Sequence, residues 1–223
     1  MLPIFLADCH LFLLYKVLVV AFENPDSSSG AKRVNIMTPI VVRILDIIFS
    51  TLGLIFAFPI MMSVLLLGLL GTGQPIFRQK RLGRNQTLFI LLKFRTMAPN
   101  TPSVATHLAS PHTVTSLGYF LRRTKLDELP QLLNVLKGDM SLVGPRPGLP
   151  NQPELTAARE KLDVFAVRPG ITGLAQINGI DMSTPELLAQ TDAQMVAEMS
   201  LKNYLKYIFL TFIGQGSGDR IKL

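Results

Sequence analysis

One stretch near the middle of the chain guides the interpretation of the rest: Thr124-Lys125-Leu126-Asp127-Glu128-Leu129-Pro130-Gln131-Leu132-Leu133-Asn134-Val135-Leu136. Pro130 has no backbone N–H and clashes with the carbonyl group four residues earlier, so a helix accepts it only in its first turn. The stretch therefore predicts a helix that begins near Leu126 or Asp127 and runs to about Leu136. The adjacent carboxylates of Asp127 and Glu128 then lie at the helix N-terminus, where they either cap the helix or take part in chemistry.

The composition indicates one domain that meets a membrane or phosphate groups. The chain has 223 residues, of which 48% are hydrophobic and 17% charged, and its mean hydropathy is +0.37. This composition is too apolar for an ordinary soluble domain and too polar for a bundle of membrane spans. The net charge of +7 fits a membrane surface, a phosphate-bearing substrate or nucleic acid. Because tryptophan is absent and only four tyrosines occur, stacking platforms are few and no nucleic-acid partner is expected.

Residues 1–36 are predicted to be an N-terminal extension and linker. The apolar run from Leu2 to Phe22 is interrupted by charged residues and lacks the features of a cleavable signal peptide. It fits either a marginal span or interfacial helix, or an extension ahead of a start at Met37. Cys9 is the one cysteine in the sequence, which excludes an internal disulfide framework and a cysteine-based zinc site.

Residues 37–73 are predicted to form a membrane helix. Ile47 to Leu70 contain 24 residues without a charge, which is the length of a membrane span. Pro59 near the middle removes a backbone hydrogen bond and is expected to kink the helix. Basic residues flank the segment on both sides, which favours a helix that enters one leaflet, bends and returns, with both ends in the cytoplasm. A Pro-kinked transmembrane helix remains the alternative.

A basic run follows the apolar segment, with four cations between Arg78 and Arg84. Its position predicts contact with lipid headgroups, with substrate phosphates, or with both. Leu88 to Phe94 predict a short strand or a helix start. Residues 98–116 are rich in Pro, Ser and Thr and are interpreted as a mobile loop, whose two histidines are ordinary loop residues.

The chain beyond Leu136 carries two similar Arg-Pro motifs. A short strand from Met140 to Val143 is predicted to end in Gly144-Pro145-Arg146-Pro147-Gly148, whose prolines stiffen the loop around the arginine. The second motif begins with Arg168-Pro169-Gly170, where glycine allows close backbone approach and the arginine suits a phosphate. Two further helical segments are expected, an exposed helix over residues 153–164 and a long helical pattern over 185–213.

Together these features suit phosphoryl transfer. Adjacent carboxylates bind Mg²⁺, and arginines balance the remaining phosphate charge. A carboxylate such as Asp127 can also act as a nucleophile that forms an acyl phosphate. The apolar helix implies that one substrate is a lipid.

The chain resembles the bacterial sugar transferases, the small monotopic phosphoglycosyl transferases, over about residues 40 to 213. The resemblance rests on five runs in the same order, namely Phe77 to Gly83, Lys93 to Met97, Leu126 to Leu132, Asn134 to Pro147 and Val167 to Gly173. In departure from the family, Phe58 stands where many members have serine before the proline, and the loop at 98–116 lacks the usual acidic residues.

The resemblance implies an enzyme that moves a sugar 1-phosphate from a UDP-sugar to undecaprenyl phosphate and releases UMP. Asp127 would be the nucleophile and a Mg²⁺ ligand, and Glu128 would assist at the acceptor phosphate. The residues expected to hold phosphates are Arg122, Arg146, Arg168, Lys93, Arg95 and Arg78. Those expected to set the membrane hairpin are Arg43 and Asp46, as a buried pair, and Pro59.

The expected architecture is mixed α/β, mostly helical with short strands, in a single catalytic domain on an N-terminal re-entrant membrane helix. The domain is predicted over residues 74–213, with a tail over 214–223, as in the minimal, catalytic-only type. The expected location is the cytoplasmic face of the bacterial inner membrane, at the start of glycan assembly. A catalytically silent membrane scaffold is the alternative function, and both monomer and homodimer stay open.

Overall fold

The computed structural model of the protein describes residues 39–99, 101 and 113–216. The predictions for residues 1–36, for most of the 98–116 loop and for the end of the tail lie outside these residues. Seven α-helices occur in the described part of the chain: α1 Pro39–Thr72, α2 Ser116–Thr124, α3 Gln131–Lys137, α4 Pro153–Lys161, α5 Leu174–Ile177, α6 Pro185–Ala197 and α7 Leu201–Phe212. Its four strands are β1 Ile76–Leu82, β2 Leu88–Phe94, β3 Ser141–Val143 and β4 Gly170–Thr172. The fold is therefore mostly helical with short strands, as predicted.

Helix α1 is long and apolar, which confirms the prediction of one such helix near the N-terminal side. It is the one helix of the described residues whose length and composition suffice to cross a membrane. It begins at Pro39, where the missing N–H costs nothing, and continues as one helix past Pro59. Pro59 lacks the N–H for one helical hydrogen bond but does not end the helix. Ser63 Oγ donates to the Pro59 carbonyl at 2.9 Å. The predicted return of the helix at Pro59 stays a prediction.

Both halves of α1 pack on the same domain. In the first half, Asp46 is fully buried and Gly53 lies against Leu132 of α3. In the second half, Val64 joins a core cluster with Phe94 and Leu121. Between these contacts, large apolar side chains are exposed, namely Ile55, Phe56, Phe58 and Ile60.

Strands β1 and β2 form an antiparallel hairpin whose two faces differ. Lys93 pairs with Phe77, and Arg81 pairs with Phe89. Because side chains alternate along a strand, these residues share the face that packs on the domain, and Gln79 and Leu91 share it with them. Arg78, Lys80 and Ile90 lie on the opposite, more exposed face.

The acidic pair does not begin a helix, so the predicted helix start near Leu126 or Asp127 was wrong. Leu126–Glu128 form a single 3₁₀ turn, and helix α3 begins only at Gln131, with Pro130 as its N-cap. The turn follows α2 through Lys125, which has a positive φ of 58°. The reason is that α2 ends at this left-handed residue, and the chain needs a separate tight turn before Pro130 can start α3.

The two Arg-Pro motifs come together in a parallel strand pair. β3 pairs with β4 through Ser141 with Gly170 and Val143 with Thr172. A Cβ added to Gly170 would lie 2.1 Å from the backbone N of Gly144. The predicted strand before the first motif is confirmed, as is the need for glycine at close backbone approach.

The C-terminal half covers the strand pair with helices. The predicted helical pattern over 185–213 divides into α6 and α7 at Ser200, whose hydroxyl accepts a hydrogen bond from Asn203 N at 3.2 Å. The helix predicted over 153–164 is α4, and it is not simply exposed, because Arg159 is buried in an ion pair with Asp192 at 2.6 Å.

Candidate active site

The centre of the site is the 3₁₀ turn with the two carboxylates. Asp127 is 4% exposed, although the turn lies near the surface. The turn shares a core cluster with the apolar helix, since Leu126 and Leu129 pack against the cluster formed by Val64 of α1, Phe94 and Leu121. Glu128 accepts a hydrogen bond from Lys93 Nζ at 2.8 Å. Strand β2 thus supplies the cation and the turn supplies the carboxylates.

The pKa values of the two carboxylates are shifted in opposite directions. Burial raises the pKa of Asp127 to about 6, and the neighbouring Glu128 charge acts in the same direction against Lys93 and Arg122. Burial also acts to raise the pKa of Glu128, but Lys93 and Arg146 outweigh it and lower that pKa below its ordinary value. Glu128 is therefore the firmly ionised member of the pair, and Asp127 is the more easily protonated one.

Two of the predicted phosphate-binding arginines lie close enough to act on the pair. Arg122 of α2 donates from Nε to Thr96 Oγ1 at 2.9 Å, and burial lowers the pKa of its guanidinium while Asp127 opposes that effect. Arg146 is half-buried in the loop after β3 and acts electrostatically on Glu128. With Lys93, these residues surround the carboxylates with positive charge suited to phosphate groups.

Three other predicted phosphate-binding residues point elsewhere. Arg168 donates from Nε to the Gly138 carbonyl at 2.9 Å. Gly138 directly follows the C-terminal end of α3, whereas the carboxylates precede its N-terminal end. Arg95 donates to the Gln74 carbonyl at 2.8 Å, next to the end of α1. Arg78 lies on the exposed face of the hairpin. The structure does not bring these three arginines to the carboxylates.

The predicted hairpin residues anchor α1 with separate partners. Arg43 donates to the Val135 and Leu136 carbonyls at 2.6 and 2.8 Å and so caps the C-terminal end of α3. Asp46 accepts from Leu142 N at 2.8 Å and from the Tyr204 hydroxyl at 2.8 Å. Each residue fixes the first half of α1 to the domain, by its own contacts.

Sequence reasoning missed two buried polar residues that hold the site together. Asn134 is 2% exposed and hydrogen bonds to both Leu92 N and the Ile90 carbonyl of β2. Arg81 is buried on the face of the hairpin that packs on the domain, and it donates to the Pro147 carbonyl at 3.0 Å. Both residues lie within the runs shared with the family, but the contacts with β2 and with Pro147 join segments distant in sequence, and no local pattern predicts them.

The donor set around Asp127 fits Mg²⁺. Among the described residues, no group of three or more His, Cys, Asp or Glu side chains comes together. Mg²⁺ is ordinarily held by one or two carboxylates together with substrate phosphates rather than by an all-protein cage. A buried carboxylate at Asp127, with Glu128 beside it and the cations predicted to bind phosphate around it, meets that description.

Comparisons with known proteins agree on the family. The model of the family described as bacterial sugar transferase matches residues 37–215. A UDP-glucose:undecaprenyl-phosphate glucose-1-phosphate transferase from Caulobacter vibrioides is 39% identical over 179 residues, which cover 76% of this chain and 67% of that protein.

Two further relatives match nearly all of the chain. An undecaprenyl-phosphate galactose phosphotransferase from Salmonella typhimurium and an uncharacterized sugar transferase from Haemophilus influenzae are each 32% identical over 228 residues, covering 94% of this chain. The chain spans about half the length of these two relatives, 46% in each case. Since the family model covers most of the chain, the resemblance seen in the sequence is confirmed, and the protein belongs to the bacterial sugar transferase family.

Proposed function

We propose that the protein transfers a sugar 1-phosphate from a UDP-sugar to undecaprenyl phosphate and releases UMP. The observation that carries the proposal is the acidic pair of buried Asp127 and Glu128, with Lys93, Arg122 and Arg146 acting on it, on a turn that shares a core cluster with a long apolar helix. Two of the relatives are named for activity on undecaprenyl phosphate, one with glucose and one with galactose. The product would begin assembly of an O-antigen, capsule, exopolysaccharide or glycoprotein glycan.

The proposed chemistry proceeds in two displacements. A carboxylate oxygen of Asp127 attacks the β-phosphorus of the UDP-sugar, and the bond to the bridging oxygen breaks with departure of UMP. A phosphate oxygen of undecaprenyl phosphate then attacks the same phosphorus and displaces Asp127. Asp127 together with the substrate phosphates would hold Mg²⁺, and the ion would supply positive charge that offsets the negative charge of the phosphates. Only the ionised form of Asp127 is a nucleophile.

Glu128 has a distinct part in this scheme. Its hydrogen bond with Lys93 orients it next to Asp127, where it would assist at the acceptor phosphate. Arg122 and Arg146 hold the phosphates. Arg168, Arg95 and Arg78 belong to the proposal as more peripheral contacts, with the substrate or with lipid headgroups.

We also infer that α1 is re-entrant and that the domain lies on the cytoplasmic face of the inner membrane. Both halves of α1 pack on one domain, and the apolar side chains between them at residues 55–60 are exposed. A straight span would carry one of these halves away from the domain, across the bilayer. In a protein with Cys9 replaced, cysteines near residues 30 and 75 are expected to react with an impermeant reagent only from the cytoplasmic side. Labelling from opposite sides would refute the re-entrant helix.

The activity is tested by UMP release from purified protein in nanodiscs with Mg²⁺, undecaprenyl phosphate and a panel of UDP-sugars. Release with one or two sugars is expected, and it would also identify the donor. Silence across the panel from folded protein would favour the scaffold alternative.

The nucleophile is tested separately with Asp127→Asn. A phosphosugar adduct on the wild-type protein is expected by mass spectrometry, and it should be absent from this variant. Glu128→Gln is the matched control, because it makes the same change at the neighbouring carboxylate and leaves the nucleophile intact. An adduct that persists unchanged in Asp127→Asn would assign the nucleophile elsewhere.

A further inference from the structure

The loop that carries Arg146 is fastened to the end of strand β1. Leu82 N donates to the Gly148 carbonyl at 3.0 Å, and Arg81 Nη1 donates to the Pro147 carbonyl at 3.0 Å. Both contacts fall directly after Arg146 in sequence. Since prolines on either side already restrict the backbone, these two hydrogen bonds leave the loop little freedom.

The Arg81 guanidinium also binds a side chain of its own strand. Its Nε and Nη2 atoms donate to Gln79 Oε1 at 3.0 and 2.6 Å. Arg81 and Gln79 are each 8% exposed. The guanidinium is a rigid planar fork that can bind Gln79 and the Pro147 carbonyl at once, which a lysine ammonium on a flexible stem cannot reproduce.

Strand alternation explains why Arg81 differs from the other cations of the basic run. Arg78 and Lys80 lie on the exposed face of the hairpin, whereas Arg81 lies on the face that carries Lys93. Burial, together with the nearby Arg146 cation, lowers the pKa of Arg81 to about 9, while Glu128 opposes this shift. The charges of Arg146 and Glu128 therefore both act on Arg81.

We propose that Arg81, oriented by Gln79, is a positioning residue that fixes Arg146 for phosphate binding through the Pro147 carbonyl. The inference rests on the proposed function, because it gives Arg146 a phosphate to bind. Arg81 has no need to touch substrate itself. Its own contacts in the structure are with Gln79 and with the loop backbone.

A double-mutant cycle tests this assignment. Arg81→Lys keeps the charge but loses the fork, and it is expected to lower kcat/KM for the UDP-sugar about 10- to 100-fold through misplacement of Arg146. Arg146→Lys retains a cation and should leave a measurable residual rate. If Arg81 acts through Arg146, the double variant should be no more than about twofold worse than Arg146→Lys alone, because residues that act through one group are not additive.

The control is Lys161→Met, at the exposed C-terminal end of α4, which should change kcat/KM less than twofold and multiply simply with Arg146→Lys. Circular dichroism at 222 nm checks that each variant is folded. Should Arg81→Lys fail to fold, Gln79→Met removes the acceptor that orients Arg81, and its smaller loss should be non-additive with Arg146→Lys in the same way. If the losses multiply in the double variant while the wild type is active, the inference about Arg81 is overturned and the proposed function stands. A wild type inactive on every UDP-sugar overturns the proposed function, and the inference with it.

Discussion

Asn134 offers the sharpest test of how the fold builds the site. Its side chain occupies the open edge of strand β2 as another strand would, accepting from Leu92 N at 3.0 Å and donating to the Ile90 carbonyl at 2.7 Å. The same amide nitrogen lies 3.4 Å from Asp139 Oδ2. The next residue of β2 is Lys93, so Asn134 ties the strand that carries this cation to the helix that follows the acidic turn.

The Asn134→Asp substitution keeps the shape of the side chain but loses both donors. A buried polar group left without a partner costs about 1–3 kcal/mol, so the abandoned Ile90 carbonyl and the new carboxylate beside Asp139 should together cost about 3 kcal/mol. For a chain of this size that corresponds to a melting temperature lower by about 6–12 °C. The loss should be accompanied by weaker catalysis, because Lys93 is no longer held at its distance from Glu128.

The loss should also depend on pH in a defined direction. The new carboxyl group faces an acceptor and a carboxylate, so its pKa in the folded state is raised above the unfolded value of about 3.9. Between the two pKa values the folded state binds more protons than the unfolded state. The stability of the variant therefore falls as the pH rises from the unfolded-state pKa through the folded-state pKa. The destabilisation should therefore be smaller at pH 5, where the protonated group can again donate to Ile90, than at pH 8.

The assay is thermal unfolding in detergent, followed by circular dichroism at 222 nm because the chain lacks tryptophan. Asn151→Asp, at an exposed turn position, makes the same chemical change and should shift stability by no more than about 0.5 kcal/mol. An Asn134→Asp loss that is equal at pH 5 and pH 8, or no larger than that of Asn151→Asp, would refute the reasoning.

Other contacts predict further outcomes of the same unfolding assay. Lys93→Gln leaves Glu128 without its cation in a mostly buried site and should cost about 3 kcal/mol, whereas Lys137→Gln breaks an exposed ion pair and should cost less than about 1 kcal/mol. Equal losses would contradict this ranking. Gly118→Ala places a Cβ 2.0 Å from a backbone carbonyl oxygen and should destabilise by about 1–3 kcal/mol, while Gly71→Ala, with open space around it, should be neutral or stabilising.

Local sequence rules predicted part of the regular structure. The apolar run became α1, Leu88–Phe94 became strand β2, and the first Arg-Pro motif follows a strand, whereas strand β1 and helix α2 were not predicted. At the acidic turn, proline chemistry indicated a helix start four or five residues too early. The structure instead uses Lys125 in a left-handed conformation to end α2, and no sequence signal at a lysine announces a positive φ.

The functional residues divide along the same line. The acidic pair of Asp127 and Glu128 could be selected from residue type and position, whereas Lys93, Arg122 and Arg146 were selected through the resemblance to the family, and the fold brings all five together. Which arginines reach the carboxylates could not be predicted, because it depends on contacts between segments far apart in the chain. Arg168 belongs to a motif like that of Arg146, yet it binds a carbonyl group at the far end of α3.

The burial of Asp127 leads to a last prediction. An aspartyl phosphosugar is also open to attack by water, which would release free sugar 1-phosphate instead of the lipid product, so exclusion of water is part of the proposed function. Leu126 packs against the core cluster of Val64, Phe94 and Leu121, and this packing shields one side of the turn. Leu126→Ala should therefore raise the ratio of free sugar 1-phosphate to lipid-linked product severalfold, measured with a UDP-sugar labelled in the sugar. Leu133→Ala, which trims an exposed side chain on the neighbouring helix, should leave the ratio unchanged. If Leu126→Ala slowed both products equally, packing of Leu126 on this cluster would stabilise the turn without protecting the intermediate.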